Sequence, residues 1–125
     1  MVHPRDMTYI PEGWRTITPR IFVHDPRGLV DFIQHVFDAT GEFRSDRPTV
    51  ITIADSMLMI SGTDVRPAMP AFLYVYVKDT DAIYRRARAA GARTVEEPST
   101  TYGDYRCMIE DAWGNTWQIA THITR

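Results

Sequence analysis

A chain of 125 residues sets one domain, or two small halves on a shared core, as the default. Hydrophobic residues at 44% and charged residues at 24% are ordinary for a globular protein, and a net charge of −2 argues against nucleic acid, whose phosphates need a basic excess. A single cysteine, Cys107, excludes an intrachain disulfide, and no run approaches the ~20 apolar residues that span a bilayer. The stretch "MVHPRDMTYIPEGW" has no continuous apolar segment of the signal-peptide kind, so the expected setting is cytoplasmic, away from membranes.

Residues 1–16 read as an N-terminal extension. In Ile17 to His24, apolar Ile17, Ile21 and Val23 alternate with Thr18, Arg20 and His24, the period of a strand with two distinct faces. Asp25-Pro26 fits a helix start, with Asp25 as N-cap and proline in the first turn. Leu29, Phe32, Ile33 and Val36 then form one apolar stripe, and Gly41 is the expected stop. Strands are expected at Glu42 to Arg44, Thr49 to Ala54 and Met57 to Ser61, the last two joined by a turn at Asp55-Ser56. Gly62 to Pro70, with one glycine and two prolines, reads as a linker.

The second half repeats the order. Leu73, Val75 and Val77 alternate with Phe72, Tyr74, Tyr76 and Lys78, and Asp79 or Asp81 caps a helix that ends at Gly91. Its cluster Arg85-Arg86-Ala87-Arg88 reads as a solvated helix face. Further strands are expected at Thr94 to Glu96, Tyr105 to Glu110 and Thr116 to Thr121, with Asp111 to Asn115 as the second hairpin turn. Tyr102 to Arg106 looks like a mobile loop. Val-x-Asp recurs at Val23-His24-Asp25 and Val77-Lys78-Asp79, so residues 17–61 and 71–125 each read as a βαβββ unit.

This duplicated unit, with its Val-x-Asp elements and the terminal "DAWGNTWQIATH", resembles the vicinal oxygen chelate superfamily of glyoxalase, bleomycin-resistance and extradiol dioxygenase proteins. The likeness is greatest to the PhnB-like, or glyoxalase/bleomycin-resistance-like, branch. It implies an α+β fold in which two βαβββ units pair into a cupped, half-open mixed sheet with helices outside. It also implies a homodimer whose partner chain helps complete each cup. The alternative fold is a ferredoxin-like domain, separated by counting the strands after each helix.

In metal-dependent members of that superfamily, four strand positions place His, Glu or Gln on the cup floor. Carried over by spacing from the Val-x-Asp elements and Gly114, they land on Thr18, Met59, Phe72 and Gln118. A hydroxyl is a poor ligand, a thioether is soft, a phenyl ring has no lone pair, and one neutral amide does not hold a divalent ion. None of His3, His24, His35 and His122 has metal-ligand spacing. No cofactor and no metal are therefore expected.

The same face carries Arg20, Phe22, Met57, Met59, Phe72, Tyr74, Tyr76 and Gln118, while Leu58, Ile60, Leu73, Val75, Trp117 and Ile119 point the other way. Apolar walls with a few placed polar groups suit a small organic ligand. Tyr74, Tyr76 and Phe22 can stack on a flat molecule, Met57 and Met59 can fill around it, Arg20 can pair with an anionic group and Gln118 can hydrogen-bond it. The leading expectation is a metal-free small-molecule-binding protein that sequesters an aromatic or antibiotic-like compound. The alternatives are a glyoxalase-type lyase or isomerase, or a dioxygenase-like enzyme, with unrecognised metal ligands or with none, and a structural interaction module. Catalytic residues are not identified, although His24 is the best-placed histidine for proton transfer.

Overall fold

Each Val-x-Asp element closes a strand and opens a helix, and the same two hydrogen bonds do this in both halves. The computed structural model describes residues 9–64 and 66–123. Residues 1–8 of the N-terminal extension, with His3, Val65 of the linker and residues 124–125 lie outside the described residues. The first half contains β1 (Arg20–Phe22), α1 (Pro26–Phe37), β2 (Thr49–Ile53) and β3 (Ser56–Ser61). The second contains β4 (Phe72–Tyr76), α2 (Thr80–Ala89), β5 (Arg93–Thr101), β6 (Asp104–Glu110) and β7 (Thr116–His122). The Val23 amide donates to Ser61 O at 2.9 Å, and the Val77 amide donates to Ala120 O at 2.8 Å. Two residues on, the carboxylates of Asp25 and Asp79 each accept from the third helical amide, Gly28 N and Ala82 N, both at 3.1 Å. An N-cap of this kind contributes about 1 kcal/mol.

Two mixed sheets result, in the orders β1-β3-β2 and β4-β7-β6-β5. The first strand of each half pairs in parallel with the last strand of that half, β1 with β3 and β4 with β7, and the hairpin partners are antiparallel. Helix α1 packs on β2 and β3, α2 packs on β5, β6 and β7, and the helices touch. This is the expected α+β architecture of two mixed sheets and two helices. One buried cluster joins the halves: Ile21, Leu58 and Ile60 of the first sheet, Ile109, Trp117 and Ile119 of the second, and the stripe Leu29, Phe32, Ile33 and Val36. Phe37 meets Trp117 with ring centroids 5.0 Å apart, and Phe32 meets Trp113 edge-on at 5.9 Å. Burial of each large apolar side chain contributes roughly 1.5–3 kcal/mol.

Several expected boundaries are corrected. Residues 42–44 form no strand, so two strands rather than three follow α1; Thr40 makes only an isolated bridge with Thr52. The hydroxyl of Thr49 takes over both backbone groups of Arg44, accepting from its N–H at 2.8 Å and donating to its carbonyl at 3.3 Å. Helix α1 stops at Asp38, which adopts φ 54, before Gly41. Gly41 is required for another reason: at φ +130, a Cβ there would lie 2.3 Å from Val50 O. Tyr102 to Arg106 is not a loop, since Tyr102 (φ 53) and Gly103 (φ 81) make a tight turn and Asp104 already begins β6. The strand expected at Thr94 to Glu96 runs from Arg93 to Thr101, with register shifts on either side of Glu96, and carries Pro98 at the sheet edge. The arginines of α2 are more than a solvated face. Arg86 donates to Val36 O at 3.1 Å and lies 3.4 Å from Asp38, placing a cation at the C-terminus of α1.

Candidate functional site

Alternation turns one face of each sheet into the core and leaves the other open. On β4 the open face carries Phe72, Tyr74 and Tyr76, exposed by 62%, 39% and 61%. Register places Gln118 of β7 beside Tyr74 on one side and beside Met108 of β6 on the other. Ala120 lies beside Tyr76 and Arg106, and His122 beside Asp104. On the first sheet, Arg20 is in register with Met59, Phe22 with Ser61, and Thr52 with Met57.

Asp104 organises the aromatic ladder. Its Oδ2 accepts from Tyr74 Oη at 2.5 Å and from Tyr76 Oη at 2.8 Å, and its Oδ1 lies 3.0 Å from His122 Nδ1. Asp104 is only 6% exposed. The hydrogen bonds from Tyr74, His122 and Tyr76 hold its carboxyl down at about 2, against the cost of burial. A carboxylate ionised this firmly cannot donate, so His122 carries its proton on Nδ1 and leaves Nε2 free when neutral. The same contact pushes the Tyr76 phenol up to about 12. The two rings stand 5.3 Å apart at 54°, and the Arg106 guanidinium lies 6.0 Å from the Tyr74 ring and 5.6 Å from Tyr102. Exposed tyrosines normally sample several rotamers. Here both hydroxyls are tied to one oxygen, so two rings are fixed before any ligand arrives.

The residues singled out in the sequence divide between two clefts. Met57, Tyr74 and Tyr76 come together in a cleft of about 640 Å³ between the first sheet and β4, which Arg15, Ile17 and Pro19 also line. Arg20 and Phe22 line a second cleft of about 560 Å³ over the first sheet. There the Arg20 guanidinium lies 4.9 Å from the Phe22 ring, and its Nη2 donates to Ser61 Oγ at 3.0 Å. Met59, Phe72 and Gln118 line neither cleft, although register sets Met59 beside Arg20 and Gln118 beside Tyr74, which do. Reading only the four strands that carry the superfamily's ligand positions leaves out β6, and with it Asp104, Arg106 and Met108. The alternation Asp104, Arg106, Met108 against Cys107 and Ile109 is the signal that locates them. Exposed His24 lies just past β1.

The donor set does not fit a divalent metal. Thr18 and Met59 belong to the first half, Phe72 and Gln118 are diagonal neighbours on the second sheet, and the four together offer a single amide oxygen suited to a hard cation. Among the described residues, no three His, Cys, Asp or Glu side chains gather to hold an ion.

Gln118 therefore sits as a half-buried amide beside Tyr74. Around it the turn Asp111–Asn115 is closed by side chains. Asp111 accepts from Trp113 N and Asn115 N at 2.9 Å and from Trp117 Nε1 at 2.8 Å. Asn115 Oδ1 accepts from Ala71 N at 2.9 Å, which fixes the start of β4 against the hairpin.

Comparison with known proteins places this geometry in context. The sequence signature of the Glyoxalase/Bleomycin resistance protein/Dioxygenase superfamily matches residues 15–119. The uncharacterized protein Rv0887c of Mycobacterium tuberculosis is 25% identical over 126 residues, covering 86% of this chain and 74% of that protein. Among solved structures, TioX from Micromonospora sp. ML1 superposes with a TM-score of 0.74 at 20% identity, over 87% of this chain and 99% of the other. The fosfomycin resistance protein FosX from Listeria monocytogenes, solved with Mn(II) and sulfate, gives 0.69 at 16% identity, over 86% and 90%. At these identities the structures speak for the fold alone.

Proposed function

The chain belongs to the Glyoxalase/Bleomycin resistance protein/Dioxygenase superfamily, and from that premise we propose that it binds a small, partly aromatic organic molecule on its open sheet faces without a metal. The observation that carries this reading is the pair Tyr74 and Tyr76, exposed yet locked through their hydroxyls on buried Asp104. A rigid aromatic face loses little entropy on stacking. Gln118 beside Tyr74 supplies a hydrogen bond for orientation, and Met57, Met59 and Phe72 supply adaptable apolar contact. Sequestration of an aromatic or antibiotic-like compound in the cytoplasm, by a homodimer of the PhnB-like branch, suits this chemistry. The Listeria protein that shares this fold is named for fosfomycin resistance, which is in keeping with it. That relative's Mn(II) is not carried over, because the donors here do not fit one.

Thermal shift with a panel of neutral aromatic compounds and antibiotics tests the reading. A ligand at a hundred times its Kd stabilises the folded state by about 2.7 kcal/mol, a rise of several degrees. The rise should vanish in Tyr74→Ala. No shift across the panel, or a shift indifferent to Tyr74, counts against it.

A second reading, a metal-free lyase or isomerase, draws on one observation. The His122 imidazole, held at Nδ1 by Asp104, keeps Nε2 free to accept a proton at the edge of the same face.

A further inference from the structure

The cleft over the first sheet carries charge that an aromatic ligand alone does not explain. It is lined by Arg20, Arg44, Arg47 and Arg66 against Asp46 and Asp64, an excess of positive charge in a chain whose net charge is −2. The cations are not equivalent. Asp46 is claimed by Arg47 at 3.0 Å and faces Arg44 at 3.9 Å, and its contact with Arg47 lowers the carboxyl and raises the guanidinium. Among the described residues, no carboxylate lies within 4.0 Å of Arg20 or Arg66.

Arg20 is nevertheless held in place. One of its N–H groups is spent on Ser61 Oγ and its guanidinium carbon lies over the Phe22 ring, which leaves the other donors of an exposed five-donor fork for a ligand. Phe43 supplies a second ring at the same cleft and carries Arg27 above it at 4.4 Å. A guanidinium anchored over Phe22, with no carboxylate within 4.0 Å among the described residues and a second ring, Phe43, lining the same cleft, matches a ligand with an oxyanion at one end and an apolar body at the other. A merely solvated arginine needs neither the hydroxyl anchor nor the ring beneath it.

We infer that this cleft binds an organic anion, a carboxylate or phosphate on a small apolar body, with the oxyanion on Arg20 and Arg66 and the body against Phe22 and Phe43. The inference goes beyond the proposed aromatic binding at Tyr74 and Tyr76 by adding a second, anion-selective seat in a separate cleft. Selectivity for the anion comes from the guanidiniums, so it weakens as salt screens them.

Isothermal titration calorimetry on the full chain, with benzoate, phenyl phosphate, inorganic phosphate and neutral benzamide as probes, tests this. Benzoate or phenyl phosphate should bind about tenfold or more tighter than benzamide at low salt. Arg20→Ala and Arg66→Ala should each weaken the anion by about tenfold or more, and Arg20→Lys should weaken it less than Arg20→Ala. Both arginines are exposed, so each variant guards against misfolding in the other. Arg85→Ala, which removes an exposed arginine of α2 outside this cleft, should leave anion affinity unchanged. Benzamide binding as tightly as benzoate, anion affinity indifferent to both arginines, or no binding by any probe overturns the anion site. Inorganic phosphate binding as tightly as phenyl phosphate overturns the seat for the body. Loss of neutral aromatic binding, with anion binding intact, overturns the aromatic reading and spares this one.

Discussion

Replacing Asp111 by alanine removes the side-chain carboxylate that closes the β6–β7 turn and leaves only its backbone hydrogen bonds. The side chain is 5% exposed and receives Trp113 N, Asn115 N, Asn115 Nδ2 at 3.0 Å and Trp117 Nε1. Asn115 and Trp117 are wholly buried, so three of these donors cannot turn to water, whereas half-buried Trp113 reaches it more readily. A buried donor left alone costs about 1–3 kcal/mol. The carboxylate's own desolvation penalty disappears with it, which offsets part of the loss. The expected destabilisation is about 3–5 kcal/mol, including slack passed through Asn115 to the start of β4. With a urea slope of about 2 kcal/mol/M, the unfolding midpoint falls by about 1.5–2.5 M. Asp111→Asn keeps one acceptor oxygen and should lose about half as much. Urea titration followed by tryptophan fluorescence and far-UV circular dichroism measures both. A midpoint for Asp111→Ala within about 0.3 M of the parent shows that the turn is not held by this carboxylate.

Two further outcomes follow from the same structure. Because Asp104 titrates at about 2 in the fold, below the ~3.9 of an unfolded aspartate, its stabilisation is complete above the unfolded value and is lost as pH falls from about 4 towards 2. The parent should therefore lose more of its urea midpoint between pH 5 and pH 2.5 than Asp104→Asn does, and equal losses would contradict the assignment. Burial pushes the Cys107 thiol up to about 11 and leaves it 1% exposed, so a disulfide exchange reagent at pH 8 should react only with the unfolded chain; rapid reaction of the native protein would refute this.

The helix caps and the open-face alternation are local features, and both are legible in the sequence. Val-x-Asp announces a strand end and an N-cap within three residues, and Phe72, Tyr74 and Tyr76 declare their common face by spacing alone. The Asp104 cluster is not legible in this way, because it joins residues 28 and 30 positions apart through a register that only the folded sheet sets. Tyr102-Gly103 also reads as loop chemistry until the positive φ of both residues shows a two-residue turn. The missing strand at residues 42–44 has its own cause, since a threonine hydroxyl substitutes for a neighbouring strand. The segment so released carries Arg44, Asp46 and Arg47 to the rim of the cleft over the first sheet.

The parallel pairing of β4 with β7 has a consequence for biosynthesis. Among the described residues β4 bonds to no other strand, and its partner β7 is the last described strand. At about 5–20 residues per second, a ribosome needs roughly 2–8 s to traverse the interval from Tyr76 to Thr116. For that time an aromatic segment of high β-propensity waits with both edges unpaired, open to pairing with another chain.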